Sequence, residues 1–110
     1  MTKISFDLDK ENNYFGFEAT GHSGYAEEGS DIVCAGISAL LFTFVNSIDE
    51  LTDADIEVEC DDETGYMKAI VSNYKSEKVQ TLFKSLHIGL KGIEDSYKKY
   101  LKLTNRREKP

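Results

Sequence analysis

Two side chains in this sequence have the chemistry of acyl transfer at a suggestive spacing. His22 stands in Gly21-His22-Ser23-Gly24, and Cys34 in Asp31-Ile32-Val33-Cys34-Ala35-Gly36-Ile37-Ser38. A thiolate is the nucleophilic form of cysteine, and a nearby imidazole can accept the thiol proton and later protonate a leaving amine. With Ser30 or Asp31 as N-cap, Cys34 falls in the first turn of a helix. Unpaired backbone N–H groups and the positive end of the helix dipole favour a thiolate there. Ala35, Gly36 and Ser38 are small and leave space for a substrate main chain. Ser38 is four residues beyond Cys34 on the same helical face, where it supports the site or simply packs. Asp31 either caps the helix or orients His22, and capping alone accounts for it. The alternative is an inert pair: a helical cysteine is most often a small buried hydrophobe, so spacing alone leaves catalysis the minority reading.

The other reactive residues offer less. His87, flanked by Leu86 and Ile88, reads as a structural or surface histidine. Cys60 falls on the apolar phase of a strand and reads as core. Ser23 lacks a nucleophile-elbow context, and Gly21 to Gly24 fit neither a Walker A nor a dinucleotide fingerprint. Two cysteines and two histidines at scattered spacing do not form the paired ligand sets of a structural zinc site. Free thiols, no metal and no cofactor are the expectation.

Elements that position the pair follow from periodicity. Ile4, Phe6 and Leu8 alternate with polar residues, as do Phe15, Phe17 and Ala19, which predicts a hairpin of residues 2–9 and 14–21. The glycine-bearing stretch from Gly21 to Ser30, including Ser23, Gly24, Tyr25, the pair Glu27-Glu28, Gly29 and Ser30, reads as a mobile loop with little to anchor it. From Asp31 the step changes to three and four: Val33, Ile37, Leu40, Leu41, Phe44, Ile48 and Leu51 form a helical stripe. Phe42 and Val45 widen it, so the helix is expected to be buried over much of its circumference. Ile56, Val58 and Cys60 alternate, Asp61 to Gly65 turns the chain, and Tyr66 to Ser72 returns as a second hairpin strand. A second helical stripe runs Val79, Leu82, Phe83, Leu86, Leu90, Ile93, Tyr97 and Leu101. The expected fold is α+β in the order ββαββα, two β-hairpins forming one antiparallel or mixed sheet covered by two helices.

The 110 residues suit a single domain, 1–110, and the only proline is Pro110. The formal charge is −7. Residues 98–110 carry six bases and one acid, which leaves a net −12 on residues 1–97; Asp49 to Glu63 hold nine acids and no base. Such a body disfavours direct nucleic-acid binding; the favoured reading of the pattern is a solvated acidic face with 98–110 as a frayed basic end, and the sharper one is a body that attracts a basic polypeptide and repels RNA. Tyr97 and Tyr100 beside it are thin support for stacking on RNA. No apolar run approaches a bilayer span and no leader pattern opens the chain, so a cytoplasmic protein without membrane contact is expected.

Gly21-His22, the glycine-containing loop and Asp31-Ile32-Val33-Cys34-Ala35-Gly36-Ile37-Ser38 resemble the ribosomal-processing cysteine protease family of bacteria. Chain length, element order and the all but proline-free body extend the resemblance over essentially the whole chain. Gly36 stands where alanine is expected. The resemblance implies a cysteine endopeptidase with Cys34 as nucleophile and His22 as general base and acid. Its substrate would be large-subunit ribosomal protein twenty-seven, which loses an N-terminal extension after an aromatic-ending sequence during ribosome biogenesis. It further implies a homodimer and a mobile loop, here Ser23 to Ser30, that orders on substrate. N–H groups of Cys34 and of a loop residue are candidates to hold the oxyanion, and Tyr25 with the first helix to form the cleft wall. The competing readings are a non-enzymatic ribosome-associated binding module using the basic end, and a thiol redox sensor with Cys60 as resolving cysteine.

Overall fold

The computed structural model describes residues 1–27 and 29–110; Glu28, part of the expected loop, lies outside them. Alternation does what the sequence requires of it in β1 (Thr2–Leu8) and β2 (Tyr14–Thr20), which pair antiparallel with Ile4 opposite Ala19 and Phe6 opposite Phe17. β2 pairs in turn with β4 (Tyr66–Val71), setting Met67 beside Ala19 and Ala69 beside Phe17. These side chains share one face of the sheet and are buried. Two helices cover that face: α1 (Ile32–Leu51) through Val33, Ile37, Leu41, Phe44 and Ile48, and α2 (Glu77–Ser96) through Val79, Phe83, Leu86 and Leu90. Each fully buried phenylalanine (Phe6, Phe17, Phe83) contributes about 1.5–3 kcal/mol relative to exposure. By length and composition α1 is apolar enough to cross a membrane; here its buried stripe lies in the core.

β3 (Ile56–Asp61) pairs antiparallel with β4, completing the second hairpin on the sheet edge. The far edge corrects an expectation. The stretch 98–110 is not a frayed end: residues 101–107 form β5 (Leu101–Arg107), parallel to β1, and the strand order is β3-β4-β2-β1-β5. Leu101, assigned to the last helical stripe by its spacing, is instead the buried first residue of this strand. The α2 pattern stops at Ser96, and Tyr97 to Tyr100 turn the chain.

β5 is pinned from the uncovered face of the sheet. Arg106 Nε lies 2.6 Å from Asp7 Oδ1, and Arg106 Nη1 lies 3.3 Å from Glu18 Oε1. Gly16, opposite Asp7, makes room for this: a Cβ there would sit 2.6 Å from the Ala69 carbonyl oxygen and 3.1 Å from Asp7 Oδ2.

Phe42 is the other departure. It is 50% exposed, so α1 is buried along one stripe and not around most of its circumference. The cause lies in β3, whose helix-side residues Val58 and Cys60 reach past the cover that the helices supply and remain exposed. An open trough is left between α1 and the β3–β4 hairpin.

Candidate active site

Asp31 begins the site. Its backbone is extended and its side chain closes the N-terminus of α1: Oδ1 accepts from the Val33 N–H at 2.9 Å and from the Cys34 N–H at 3.0 Å. Oδ2 turns to the preceding loop and accepts from Ser23 Oγ at 2.5 Å, the Tyr25 N–H at 3.1 Å and the Ala26 N–H at 3.3 Å. Burial alone would raise the pKa of this carboxyl, but the donors from Ser23, Cys34, Ala26 and Val33 outweigh it and lower it to about 2. Asp31 is thus a cap and a loop anchor together. Its partners do not include His22, so of the two roles open to it the structure selects capping.

The loop so anchored reaches Cys34. Ser23, only 1% exposed, directs its backbone N–H to Cys34 Sγ at 3.2 Å. That contradicts the expectation of a segment with little to hold it: the turn from Ser23 to Ala26 is fastened to α1, and Tyr25 packs edge-on against Tyr97 and Tyr100 at centroid distances of 5.5 and 5.2 Å. The two C-terminal tyrosines are therefore engaged with the loop. Cys34 is half-buried, with its sulfur accessible from the trough.

His22, one residue before Ser23, is exposed and faces the β3–β4 turn, where its Nε2–H donates to the Glu63 carbonyl oxygen at 3.1 Å. Its Nδ1 has no hydrogen-bond partner among the described residues. Gly65, in the same turn, lies against Gly21 and His22: its φ is +68°, and an added Cβ would stand 2.9 Å from the Gly21 carbonyl carbon and oxygen and 3.2 Å from His22 Cε1.

His22 and Cys34 open into one cleft of about 680 Å³ between α1 and the β3–β4 hairpin. Ser38 and Phe42 continue the α1 wall from Cys34 at helical spacing, Met67 and Cys60 lie across from them, and Asp61 and Asp62 stand at the rim. Gly24 and Gly29 line the loop side. Ser38 is exposed on this wall. Cys60 corrects the expectation of a core residue: it is an exposed free thiol on the edge strand. His87 is far from this chemistry. It stacks on Phe6 at 4.6 Å and 10°, and its Nδ1 meets the Tyr14 hydroxyl at 2.9 Å.

His22, Asp31 and Cys34 thus line one cleft, and hydrogen bonds join Asp31, Cys34 and Ser23, but among the described residues none joins His22 to Cys34 or Asp31. Sequence reasoning missed the Glu63 carbonyl and Gly65. The Asp61 to Gly65 turn was visible, but its contact with a histidine about forty residues earlier had no local sign.

Comparison with known proteins agrees with this geometry. The sequence profile of the family described as Cysteine protease Prp matches residues 1–102. The ribosomal processing cysteine protease Prp of Bacillus subtilis is 31% identical over 108 residues, covering 94% of this chain and 96% of that protein. The Staphylococcus aureus protein of the same name is 29% identical over 103 residues, covering 94% and 97%. Two crystal structures of S. aureus Prp superpose over 96% of this chain and all of theirs. One holds a covalently linked product peptide (TM-score 0.91, 28% identity) and the other a substrate peptide (TM-score 0.86, 27% identity). On a matching family profile, relatives and fold, the chain belongs to the cysteine protease Prp family and is a cysteine peptidase.

Proposed function

We propose that this peptidase removes the N-terminal extension of large-subunit ribosomal protein twenty-seven during ribosome biogenesis, acting as a cytoplasmic homodimer, with Cys34 as nucleophile and His22 as general base and acid. The observation that carries the assignment of roles is the meeting of Cys34 Sγ with the Ser23 N–H at 3.2 Å, one residue from His22, in a cleft long enough for a peptide. His22 takes the thiol proton and sulfur adds to the scissile carbonyl. The tetrahedral intermediate then collapses to a thioester as His22 delivers that proton to the departing amine. Water, deprotonated by the same ring, hydrolyses the thioester and restores the thiol.

Two N–H groups beside the sulfur are the candidates for the oxyanion: that of Ser23, which points at Cys34 Sγ, and that of Cys34, which is bonded to Asp31 Oδ1. Asp31 supports both groups at once by holding the helix start and the loop. Ser38 supports the site by its small size, leaving the wall beside Cys34 open to a substrate main chain. The ribosomal processing names of the relatives and the peptides bound to S. aureus Prp support this reading. So does the net −12 on residues 1–97, which suits a basic protein substrate and disfavours RNA.

The test is incubation of purified enzyme with the N-terminally extended ribosomal protein, read by intact mass. Loss of the extension, absent with Cys34→Ser, is the expected result. Full cleavage by Cys34→Ser would remove Cys34 from the mechanism, and an unchanged substrate with wild-type enzyme would remove the substrate.

A further inference from the structure

We infer that the β3–β4 turn is the third member of the catalytic apparatus: the main-chain carbonyl of Glu63 fixes the tautomer and orientation of His22, and Gly65 makes that contact sterically possible. The inference deepens the peptidase reading above and rests on it for its kinetic consequences, though not for the tautomer itself.

The argument begins with what a carbonyl can do. It only accepts, so the 3.1 Å contact requires a proton on His22 Nε2. In the neutral ring the other nitrogen, Nδ1, is then the lone-pair base. Nδ1 has no partner among the described residues, so its lone pair is available to a thiol proton. When the ring becomes imidazolium, Nε2 keeps donating to the same oxygen. The ring therefore need not turn over between its acid and base steps. Other cysteine and serine peptidases give this orienting task to a carboxylate or amide side chain. Here the one buried acid nearby among the described residues, Asp31, is spent on Ser23, the loop amides and the helix start, and a backbone oxygen takes its place.

Gly65 shows that the turn is built to lie this close. Its φ of +68° is one that L side chains rarely adopt, and a Cβ would come within 2.9 Å of the Gly21 backbone and 3.2 Å of the His22 ring. Gly21, the residue before the histidine, is itself at φ +82°. Two glycines thus let two turns from distant parts of the chain touch at the ring. A side chain at position 65 must push the turn away from His22, and the Glu63 carbonyl moves with it.

The experiment is a long-range ¹⁵N–¹H spectrum of the ¹⁵N-histidine-labelled full chain above the titration range, with the His22 signals assigned by their loss in His22→Gln. The Nε2–H tautomer is expected for His22; a dominant Nδ1–H tautomer overturns the proposal, whatever the enzyme cleaves. Gly65→Ala should yield a mixture of tautomers and lower kcat by about tenfold or more with little change in KM, since a misplaced catalytic group costs rate more than binding. A Gly65→Ala enzyme with wild-type tautomer and kcat would also overturn the proposal. If wild-type enzyme shows the Nε2–H tautomer but cleaves nothing, the peptidase reading fails and the positioning of the ring stands. Should Gly65→Ala not fold, the wild-type spectrum alone still decides.

Discussion

The two histidines of this chain carry the same ring in opposite surroundings. His22 sits exposed at a cleft mouth, held at one nitrogen by a main-chain oxygen and, among the described residues, without a hydrogen-bond partner at the other. His87 is half-buried on α2, stacked on Phe6 and bonded to Tyr14, and burial pushes its pKa down, with Glu94 opposing and Lys91 assisting. One ring lines the cleft, and the other sits where burial disfavours its charged form. A similar contrast separates the cysteines. Cys34 is half-buried at a helix start with an N–H on its sulfur, whereas Cys60 lies open on an edge strand with its thiol unengaged in the fold. Each histidine makes one hydrogen bond among the described residues, so what separates them is place: His22 lines the cleft that Cys34 also lines, and His87 lies against Phe6 and Tyr14.

The sharpest way to break the comparison is substitution at both members of each pair. Cys34→Ala should reduce cleavage to background and His22→Ala should lower kcat by about 10²–10⁴-fold, while both retain the wild-type circular dichroism spectrum. His87→Phe should leave kcat within about twofold, a change too small to count as loss of a proton-transfer group. A His87→Phe enzyme as damaged as His22→Ala would erase the distinction.

Next in size is Asp31→Ala. It removes the helix cap and three loop attachments, so urea denaturation should report a loss of about 1–2 kcal/mol from the cap alone, and cleavage should fall with it. Asp31→Asn keeps an acceptor and should lose less. Because the folded-state pKa is depressed from 3.8 to about 2, the stability from this carboxylate is fully present above the unfolded value. It is lost as pH falls through the folded one. Wild-type stability should therefore drop more steeply than that of Asp31→Asn between pH 4 and 2, the window set by those two values. Parallel curves would deny the carboxylate its role.

A smaller pH effect belongs to His87. Its folded-state pKa lies below the ordinary 6.5, so its contribution is complete above 6.5 and is lost as pH falls through the lower folded value. His87→Phe should flatten that part of the stability curve, measured by thermal melts in mildly acidic buffers. The smallest effect is expected at Cys60: Cys60→Ser should match wild type in kcat and in melting temperature, and a marked loss of either would give the second thiol a role that its open position does not suggest.

How much of this was legible beforehand depended on the range of the interaction. Asp31 and Cys34 lie three residues apart, and the cap that joins them follows from helix chemistry that any short window displays. His22 required only that a strand end beside a helix start. Cys60 misled because alternation tells which face a strand residue occupies but not whether a helix extends far enough to cover it. β5 was hidden for a different reason: Leu101 continues the three-and-four step of α2, and its strand partner Thr2 lies at the opposite end of the chain. Parallel pairing over such a separation leaves no turn signal between the partners. The loop's fastening was missed because Ser23 meets Asp31 across eight residues of irregular backbone. Glu63 contributes a backbone atom, and backbone atoms are the same in every sequence.

The strand that was hidden sets an order of events. β1 has β2 on one side and β5 on the other, so its outer row of amides and carbonyls stays bare until residues 101–107 have been synthesised. The Asp7 carboxylate must likewise await Arg106. The hairpin of β1 and β2, which delivers His22 to the cleft, can thus be settled only after translation has passed the far end of the sheet. Because Leu101 of that strand pairs with Thr2, which lines the cleft and donates its hydroxyl to the Gly21 carbonyl oxygen, clipping a handful of residues from the carboxyl-terminal strand would loosen the backbone that leads directly into His22.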